Sequence, residues 1–447
     1  MKRALSFFMA VVFVMMLCLF TAGALHNDEI AEDMHSPIYM LVSLDNDTEI
    51  FSKGADVKTA PATFVKIITA ITVIENCPDL DAQITVNQQA LDIVGYTYGM
   101  VTSELSAGEE MSIKDLLYCC MLQNANDATN TLAWHVSGGD MPAFVNTLND
   151  FVKKIGCENT VLVNATGIDA EGQYTTAQDM VKIISYGLKL PVFSEIFNAK
   201  SVTIPATNKH AERTYSTANK MMFSTSHDYY YEYVTGGKSG ATNNAGNVFT
   251  AVATKDGYSY LAVVMKGETK IVGSNTYKSN CAILDAKRML RWTFSNIKLK
   301  VVANTSQVVS VIDVVAGKSA DNVRLVPASE VSALVPADAD YTSVLIEPIE
   351  NTVPKSVRAP VHKGDIMGEA RILYAGQEIA RVSLAADESV ELSVPRYVLS
   401  IAKMVVTSTP FIIIFSILVA LIAVYIGFTV AVNYKNKANR LKVVSKK

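Results

Sequence analysis

The chain has 447 residues, of which 50% are apolar and 18% are charged, and its formal net charge is −4. This length is sufficient for two or three globular domains. The mild negative charge excludes a broad basic surface of the kind that binds nucleic acid.

The first 24 residues have the pattern of a cleaved secretory signal peptide. Lys2 and Arg3 precede an uncharged run at 4–20, and small residues at 22–24 provide a cleavage site. A retained anchor is the alternative, but the run is short for a membrane span. The sequence therefore predicts a signal peptide at 1–24 and export of the rest.

The next segments predict a domain at 30–296 whose sheet takes strands from both of its ends. Residues 37–51 alternate like two strands joined at Asn46 and Asp47, and residues 247–254 and 258–265 form a second pair joined at Asp256 and Gly257. Helical periodicity covers residues 63–76, 113–123, 128–136, 141–155, 176–188 and 280–294. Because helices lie between the strands, we expect one sheet packed on a large helical region.

After residue 296 the pattern changes to short β-rich runs with proline and glycine between them, which predicts a separate β-sandwich at 297–395. A linker at 396–410 leads to 22 uncharged residues at 411–432, enough to cross ~30 Å of hydrocarbon as a helix. The tail at 433–447 carries six lysines and arginines, and the positive-inside rule places it in the cytoplasm. A buried core helix is the alternative, but it gives no reason for a basic tail. The domains at 30–395 are therefore expected outside the membrane.

Five cysteines follow the signal peptide, and this odd number argues against a full disulfide framework. Cys119 and Cys120 lie in an apolar helical run, so we expect both to be small buried hydrophobes. The histidines show no metal-ligand spacing, and the sequence predicts neither a metal site nor a cofactor.

Three short segments carry the candidate chemistry. Thr63 and Lys66 stand three apart at the start of a helix, so they share a face and the amine could act on the hydroxyl. A polar break at 123–127 follows between two helical runs. At 236–240, Lys238 enters a strand whose exposed edge could receive an extended peptide ending in a carboxylate. Each pattern alone is weak: Thr63 could simply cap its helix, and Lys238 could be a solvated lysine at a strand end.

Taken in order, the three segments resemble the S-x-x-K, S-x-N and K-[ST]-G motifs of the low-molecular-mass penicillin-binding proteins, the D-alanyl-D-alanine carboxypeptidases. Similar wording recurs at 61–75, 116–138, 164–168, 174–176, 219–220, 238–255 and 360–365, so the resemblance covers roughly 37–395. It implies an α/β (α+β) penicillin-binding, β-lactamase-like transpeptidase domain with an antiparallel sheet and a helical region. A small β-sandwich domain and a C-terminal transmembrane helix would follow.

The resemblance also implies the substrate and the catalytic residues. Thr63 would be the nucleophile and Lys66 the general base, while Asn126 would orient Lys66 and the substrate amide. The substrate would be a peptidoglycan stem peptide ending in D-Ala-D-Ala, and β-lactams could bind as well. A bacterial cell membrane location, with a single span, follows from this assignment.

Further residues would bind the substrate in a protein of this family. Lys238, Ser239 and Gly240 would hold the terminal carboxylate and line the strand, and Asn124 would lie beside them. The backbone N–H groups of Thr63 and Ala241 would form the oxyanion hole.

Two positions depart from the family pattern, because Thr63 and Asn124 stand where the motifs have serine. The threonine methyl restricts χ1 and crowds the site, and an asparagine amide cannot relay a proton as a hydroxyl does. Two hypotheses therefore stay open: a slow or specialised carboxypeptidase, and a pseudoenzyme of the same fold that binds stem peptides or assembly partners. A β-lactamase would normally lack the second domain and the anchor.

Overall fold

The computed structural model describes residues 30–93, 100–272, 277–339, 343–374 and 376–444. The predicted signal peptide at 1–24 lies outside the described residues. The chain divides into two compact units after Lys298.

The first unit alternates between strands and helices, as its periodicities predicted. Its elements, in chain order, are β1 (Ile38–Ser43), β2 (Glu49–Lys53), α1 (Phe64–Asn76), β3 (Gln83–Thr85), α2 (Gln88–Asp92), β4 (Glu110–Ser112), α3 (Ile113–Leu122), α4 (Asn126–Ser137), α5 (Met141–Lys154), α6 (Ala177–Leu188), α7 (Pro191–Asn198), β5 (Ser201–Ile204), β6 (Arg213–Ser216), β7 (Val234–Thr242), β8 (Gly246–Lys255), β9 (Tyr258–Gly267), β10 (Thr269–Val272), β11 (Tyr277–Asn280) and α8 (Cys281–Asn296).

A five-stranded antiparallel sheet is the frame of this unit. Its order is β2-β1-β9-β8-β7, so strands from the two ends of the domain meet where β1 pairs with β9. This pairing confirms the predicted closure of the sheet. Strand β7 has only β8 beside it within this sheet, so one edge of β7 is left for other partners.

Helix α1 is the central element of the helical region. Phe64, Ile67, Ile68 and Ile71 are all fully buried, and α1 contacts α3, α4, α5, α6 and α7. All ten residues at 64–73 are buried, so this part of the helix is surrounded on every side. Burial of each such side chain stabilises the fold by about 1.5–3 kcal/mol. The tight packing of α1 therefore fixes the positions of Thr63, just before the helix, and Lys66, in its first turn.

The second unit is rich in β-structure, as predicted. Its elements are β12 (Ile297–Ala303), β13 (Ser310–Val315), β14 (Asn322–Pro327), β15 (Val331–Pro336), β16 (Val344–Pro348), β17 (Ser356–Arg358), β18 (Ile366–Tyr374), β19 (Gln377–Ala386), α9 (Val394–Val406) and α10 (Thr409–Val444). A six-stranded sheet of order β16-β18-β19-β14-β13-β17 and the pair β12-β15 enclose one hydrophobic core.

The chain ends in two helices, of which only the second was predicted. Residues 394–406 form α9 where the sequence predicted a linker at 396–410. Pro395 lies in the first turn of this helix, where proline favours a start, and apolar residues recur from Val398 to Val406. In α10, the segment Thr409–Tyr434 is long and apolar enough to cross a membrane, and its side chains are not buried against the rest of the chain.

Candidate active site

Thr63 occupies the position just before α1, and its hydroxyl makes no hydrogen bond within the described part of the chain. Its side chain makes no capping hydrogen bond, which rules out the capping role considered from the sequence. Oγ1 is buried and has no hydrogen-bond partner among the described residues. A buried hydroxyl without a partner is costly, and such groups occur at functional sites.

The backbone that leads into Thr63 is strained. Ala62 has a φ of +48°, a left-handed conformation that residues with a Cβ seldom adopt. Gly167 packs against this turn, and a Cβ at Gly167 would lie 1.8 Å from the Ala62 carbonyl oxygen. Only glycine therefore fits at 167, and the contact helps to hold the turn that orients Thr63.

Lys66 lies one turn into α1 and is 2% exposed. Its Nζ donates to Asn126 Oδ1 at 2.8 Å and to the Thr166 carbonyl at 2.5 Å. Burial lowers the pKa of Lys66 to about 8, while the nearby Cys120 thiol and the Asp127 carboxylate oppose this shift. A substantial neutral fraction is therefore present near pH 8, and a neutral amine that donates two hydrogens keeps a lone pair to accept a proton.

The turn between α3 and α4 sends two asparagine side chains to different partners. Asn124 has a φ of +61°, which asparagine tolerates better than most residues. Its Nδ2 donates to the Ser239 carbonyl at 3.0 Å, whereas Asn126 reaches Lys66. Asn124 Oδ1 is buried and accepts no hydrogen bond from the described residues.

A buried carboxylate fixes the segment that lies beside this turn. Asp127 is 3% exposed and accepts hydrogen bonds from the backbone N–H groups of Ser103 and Leu105 at 2.9–3.0 Å. The carbonyl of Val101, two residues before Ser103, accepts from both the backbone N–H and Nδ2 of Asn126. Asp127 thus supports Asn126 through a neighbouring loop.

Strand β7 approaches Thr63 so closely that its residue there must be glycine. A Cβ at Gly240 would lie 2.0 Å from Thr63 Oγ1 and 2.3 Å from Thr63 Cγ2. The Ser239 carbonyl, which accepts from Asn124, faces away from β8. The backbone groups of successive residues in a strand point to alternate sides, so the N–H and C=O of Ala241, two residues after Ser239, also point to the edge of β7 that is not paired with β8.

Lys238 of β7 is held at the C-terminal end of α3. It is 2% exposed, and its Nζ donates to the carbonyls of Cys120 at 3.2 Å and Met121 at 2.7 Å, in the last turn of α3. Helix C-terminal carbonyls lack partners within the helix and attract cations. Burial lowers the pKa of Lys238 to about 7, Cys120 opposes the shift, and the charge of Lys66 adds to it.

Six of the eight predicted site residues line one cleft of about 490 Å³. These are Thr63, Lys66, Asn124, Asn126, Gly240 and Ala241. Lys238 and Ser239 are not among the lining residues. The structure instead joins β7 to α3 through Lys238 and to the turn before α4 through the Ser239 carbonyl.

Two of the lining residues that the sequence did not identify make hydrogen bonds that shape the site. Thr166 holds Lys66 through its carbonyl, and Asp169 closes the cleft by accepting from Thr242 Oγ1 at 2.6 Å and from the Asn244 N–H at 2.9 Å. The asparagine and glycine at 164 and 167 are typical of a tight turn and could have indicated this part of the site. In the structure Asn164 Oδ1 accepts a hydrogen bond from the Gly167 N–H. Among the described residues, no group of three or more His, Cys, Asp or Glu side chains is placed to hold a metal ion.

Comparisons with known proteins match both units. The sequence profile of the D-alanyl-D-alanine carboxypeptidase family covers residues 25–269, and that of the penicillin-binding protein 5 C-terminal domain covers residues 298–392. The D-alanyl-D-alanine carboxypeptidase DacF of Bacillus subtilis is 25% identical over 401 residues, which are 88% of this chain and 95% of the relative. DacC of Escherichia coli is 26% identical over 391 residues, 83% of this chain and 88% of the relative.

Solved structures share the fold. Penicillin-binding protein 5 from Haemophilus influenzae superposes with a TM-score of 0.59 at 23% identity, over 80% of this chain and 98% of its own. The D-alanyl-D-alanine carboxypeptidase DacD from Francisella tularensis gives a TM-score of 0.61 at 19% identity, over 80% and 94% of the two chains.

Proposed function

The chain belongs to the D-alanyl-D-alanine carboxypeptidase family, and from this premise we propose that it binds D-alanyl peptides of peptidoglycan and cleaves them slowly through an acyl-enzyme on Thr63. The observation that carries the proposal is the placement of Lys66. Burial lowers the pKa of Lys66 to about 8, and Lys66 lies one helical turn from a buried hydroxyl that has no hydrogen-bond partner among the residues the structure describes; both line the same cleft.

The proposed reaction uses Thr63, Lys66 and Ala241, all of which line the cleft. Thr63 Oγ attacks the carbonyl carbon of the D-alanyl residue while its proton passes to the lone pair of Lys66. The carbon–nitrogen bond then breaks, Lys66 returns the proton to the leaving amine, and an ester with Thr63 remains. Water, activated by Lys66, hydrolyses the ester. The extended backbone of the substrate peptide binds along the unpaired edge of β7. The N–H groups of Thr63 and Ala241 stabilise the negative oxygen that forms when Thr63 attacks the carbonyl.

Two contacts support slow turnover. Gly240 packs so closely on Thr63 that a Cβ there would lie 2.3 Å from Thr63 Cγ2. The β-branched side chain of Thr63 restricts rotation about χ1, and with it the movement of the nucleophile. Asn124 bonds the Ser239 carbonyl, so a side chain with no labile proton stands where the family motif has a hydroxyl. Proton transfer then falls to Lys66 alone, and loss of one positioned acid or base typically costs about 10²–10⁴-fold in rate.

Covalent trapping tests the proposal. The full chain in detergent micelles is incubated with a labelled penicillin at pH 9, where Lys66 is neutral, and intact mass is recorded over hours. We expect an adduct that forms slowly with the wild type and is absent from Thr63→Ala. An adduct that persists in Thr63→Ala would show that another residue is acylated.

A binding protein without catalysis is the second candidate. It is favoured by Asn124, whose amide donates to the Ser239 carbonyl and has no labile proton to relay to a leaving group. This candidate predicts no adduct with the wild type, together with measurable binding of a D-Ala-D-Ala peptide. Penicillin adduct formation and binding of a D-Ala-D-Ala peptide, measured on the same protein, therefore separate the two functions.

The apolar segment of α10 and the basic residues after it indicate where the protein acts. A single span at α10 would hold the protein in the bacterial cell membrane, with both folded units outside and the basic tail in the cytoplasm. Such an arrangement places the cleft on the side where peptidoglycan is found.

A further inference from the structure

A second cavity lies beside the cleft and is the larger of the two. Its volume is about 700 Å³, against about 490 Å³ for the cleft. Helix α5 and the segment 162–170 form most of its wall, and Asn130 of α4 also lines it. Thr166, Ile168 and Asp169 line both spaces. This side cavity contains none of the groups that carry out the proposed reaction.

The side cavity is largely apolar and offers no unpaired charge to a ligand. Its apolar lining residues include Ile93, Met141, Pro142, Val145, Leu162 and Val163. No lysine, arginine or histidine is among the described residues that line it. Its one acidic residue, Asp169, already accepts hydrogen bonds from Thr242 and Asn244. Because a charged ligand would lose water without gaining an ionic partner, these properties favour a neutral one.

Asn130 provides a hydrogen-bond donor that the described part of the chain does not use. It is 2% exposed, and its Nδ2 is buried without a hydrogen-bond partner among the described residues. By contrast, the side chains of Asn149 and Asn164, which also line the cavity, bond to backbone groups of the segment 162–170. A buried donor without a partner is unfavourable, and a carbonyl oxygen on a ligand would satisfy it.

The segment 162–170 connects the side cavity to the proposed base. The carbonyl of Thr166 accepts a hydrogen bond from Lys66 Nζ at 2.5 Å, and Gly167 packs on the turn before Thr63. Because Thr166 also lines the side cavity, a molecule bound there contacts the segment that holds Lys66. Filling an open space beside a segment adds packing contacts that restrict its movement.

We propose that the side cavity binds a small, neutral, largely apolar molecule that carries a carbonyl group, and that this molecule supports the segment that positions Lys66. The apolar wall removes the body of the molecule from water, and Asn130 Nδ2 donates to its carbonyl oxygen. The binding is independent of the proposed function, whereas the effect on Lys66 rests on it.

The first test compares two probes of equal chain length. Hexanamide and hexanoate are titrated into the full chain in detergent micelles, with empty micelles as the blank, and binding is followed by saturation-transfer NMR of the probe. We expect hexanamide to bind at least about tenfold more tightly, a difference of about 1.4 kcal/mol. Equal binding of the two probes would overturn the proposed ligand class.

Two variants locate the binding site. Asn130→Leu should weaken hexanamide binding about tenfold because it removes the donor, and it should leave the fold intact because no hydrogen bond of Nδ2 is lost. Val163 is 40% exposed, and Val163→Trp should weaken binding by occupying the cavity. The matched control is Asn322→Leu, the same replacement at an exposed position of the second unit. Wild-type affinity in both cavity variants would place the site elsewhere.

The effect on Lys66 is measured as the rate of penicillin adduct formation at pH 8. Saturating hexanamide should raise this rate at least about twofold in the wild type, because a supported Thr166 carbonyl holds the amine in place. The same concentration should have no effect on Asn130→Leu.

The outcomes separate this inference from the proposed function. Binding of hexanamide without any change in the adduct rate would overturn the link to Lys66. If the wild type forms no adduct with or without hexanamide, the proposed function fails, and the binding measurements still decide whether the side cavity is a site.

Discussion

At the scale of single residues, positions 63 and 124 set the expected chemistry of the cleft. Each differs from the family motif by a small change: a methyl group is added at Thr63, and a hydroxyl is replaced by an amide at Asn124. A Cβ at Gly240 would lie 2.3 Å from the methyl carbon of Thr63, and the Asn124 amide donates to the Ser239 carbonyl. We expect both changes to weaken attack and proton transfer.

Restoring serine at both positions should therefore raise the acylation rate. For the double variant Thr63→Ser, Asn124→Ser we expect an increase of at least about 100-fold, because a positioned proton relay contributes about 10²–10⁴-fold. The measurement is the rate of penicillin adduct formation by intact mass, with each single variant as control. A double variant no faster than the wild type would mean that the motifs are misaligned.

At the scale of secondary structure elements, the turn between α3 and α4 depends on a buried carboxylate. Asp127 accepts the N–H groups of Ser103 and Leu105, and the Val101 carbonyl in the same segment holds Asn126. Asn126 in turn holds Lys66. Asp127 is thus a positioning residue for Lys66, the proposed base, although it does not line the cleft.

Asp127→Asn should destabilise the first unit and alter the titration of Lys66. A carboxamide leaves at least one buried N–H unsatisfied, at a cost of about 2 kcal/mol in the free energy of unfolding. The negative charge of Asp127 raises the pKa of Lys66, so its loss should move the pH midpoint of acylation below the wild-type value. Thermal unfolding and a pH profile measure the two effects. The control is Asp338→Asn, an exposed carboxylate of the second unit; a similar loss there would contradict the specific role.

Elements with a strong period could be predicted from the sequence, and contacts between distant residues could not. The apolar spacing of residues 63–76 and 113–123 predicted helices α1 and α3 to within a residue or two. The order of the motifs predicted that Thr63, Lys66 and Asn126 share one site, and all three line the cleft. The partners of Lys238 lie 117 and 118 residues earlier in the chain, so they depend on how β7 packs on α3. The role of Asp169 likewise arises from a contact 73 residues away, with Thr242.

At the scale of the whole molecule, two folded units precede an apolar helix. The span Thr409–Tyr434 has no buried face within the chain, and α9 before it also buries none of its residues. Exposed apolar helices of this length need a membrane to cover them. We therefore expect α10 to hold the two units at the membrane surface.

Removing residues 409–447 should release the protein from the membrane. In bacterial cells, fractionation should recover the wild type in membranes that resist washing with high salt, and the truncated chain in the soluble fraction. Protease added from the outer side should digest both units and spare the basic tail. A full-length chain that salt alone releases would contradict the span.

The most direct test of the central claim, that Lys66 activates Thr63, is the pH dependence of penicillin adduct formation by the full chain from pH 6 to pH 10. Because the base must be neutral and burial lowers the pKa of Lys66 to about 8, the rate should rise about tenfold per pH unit below pH 8 and level off above it. Lys66→Met should abolish the adduct at every pH. A rate that does not change with pH, or an adduct that survives Lys66→Met, would contradict the account.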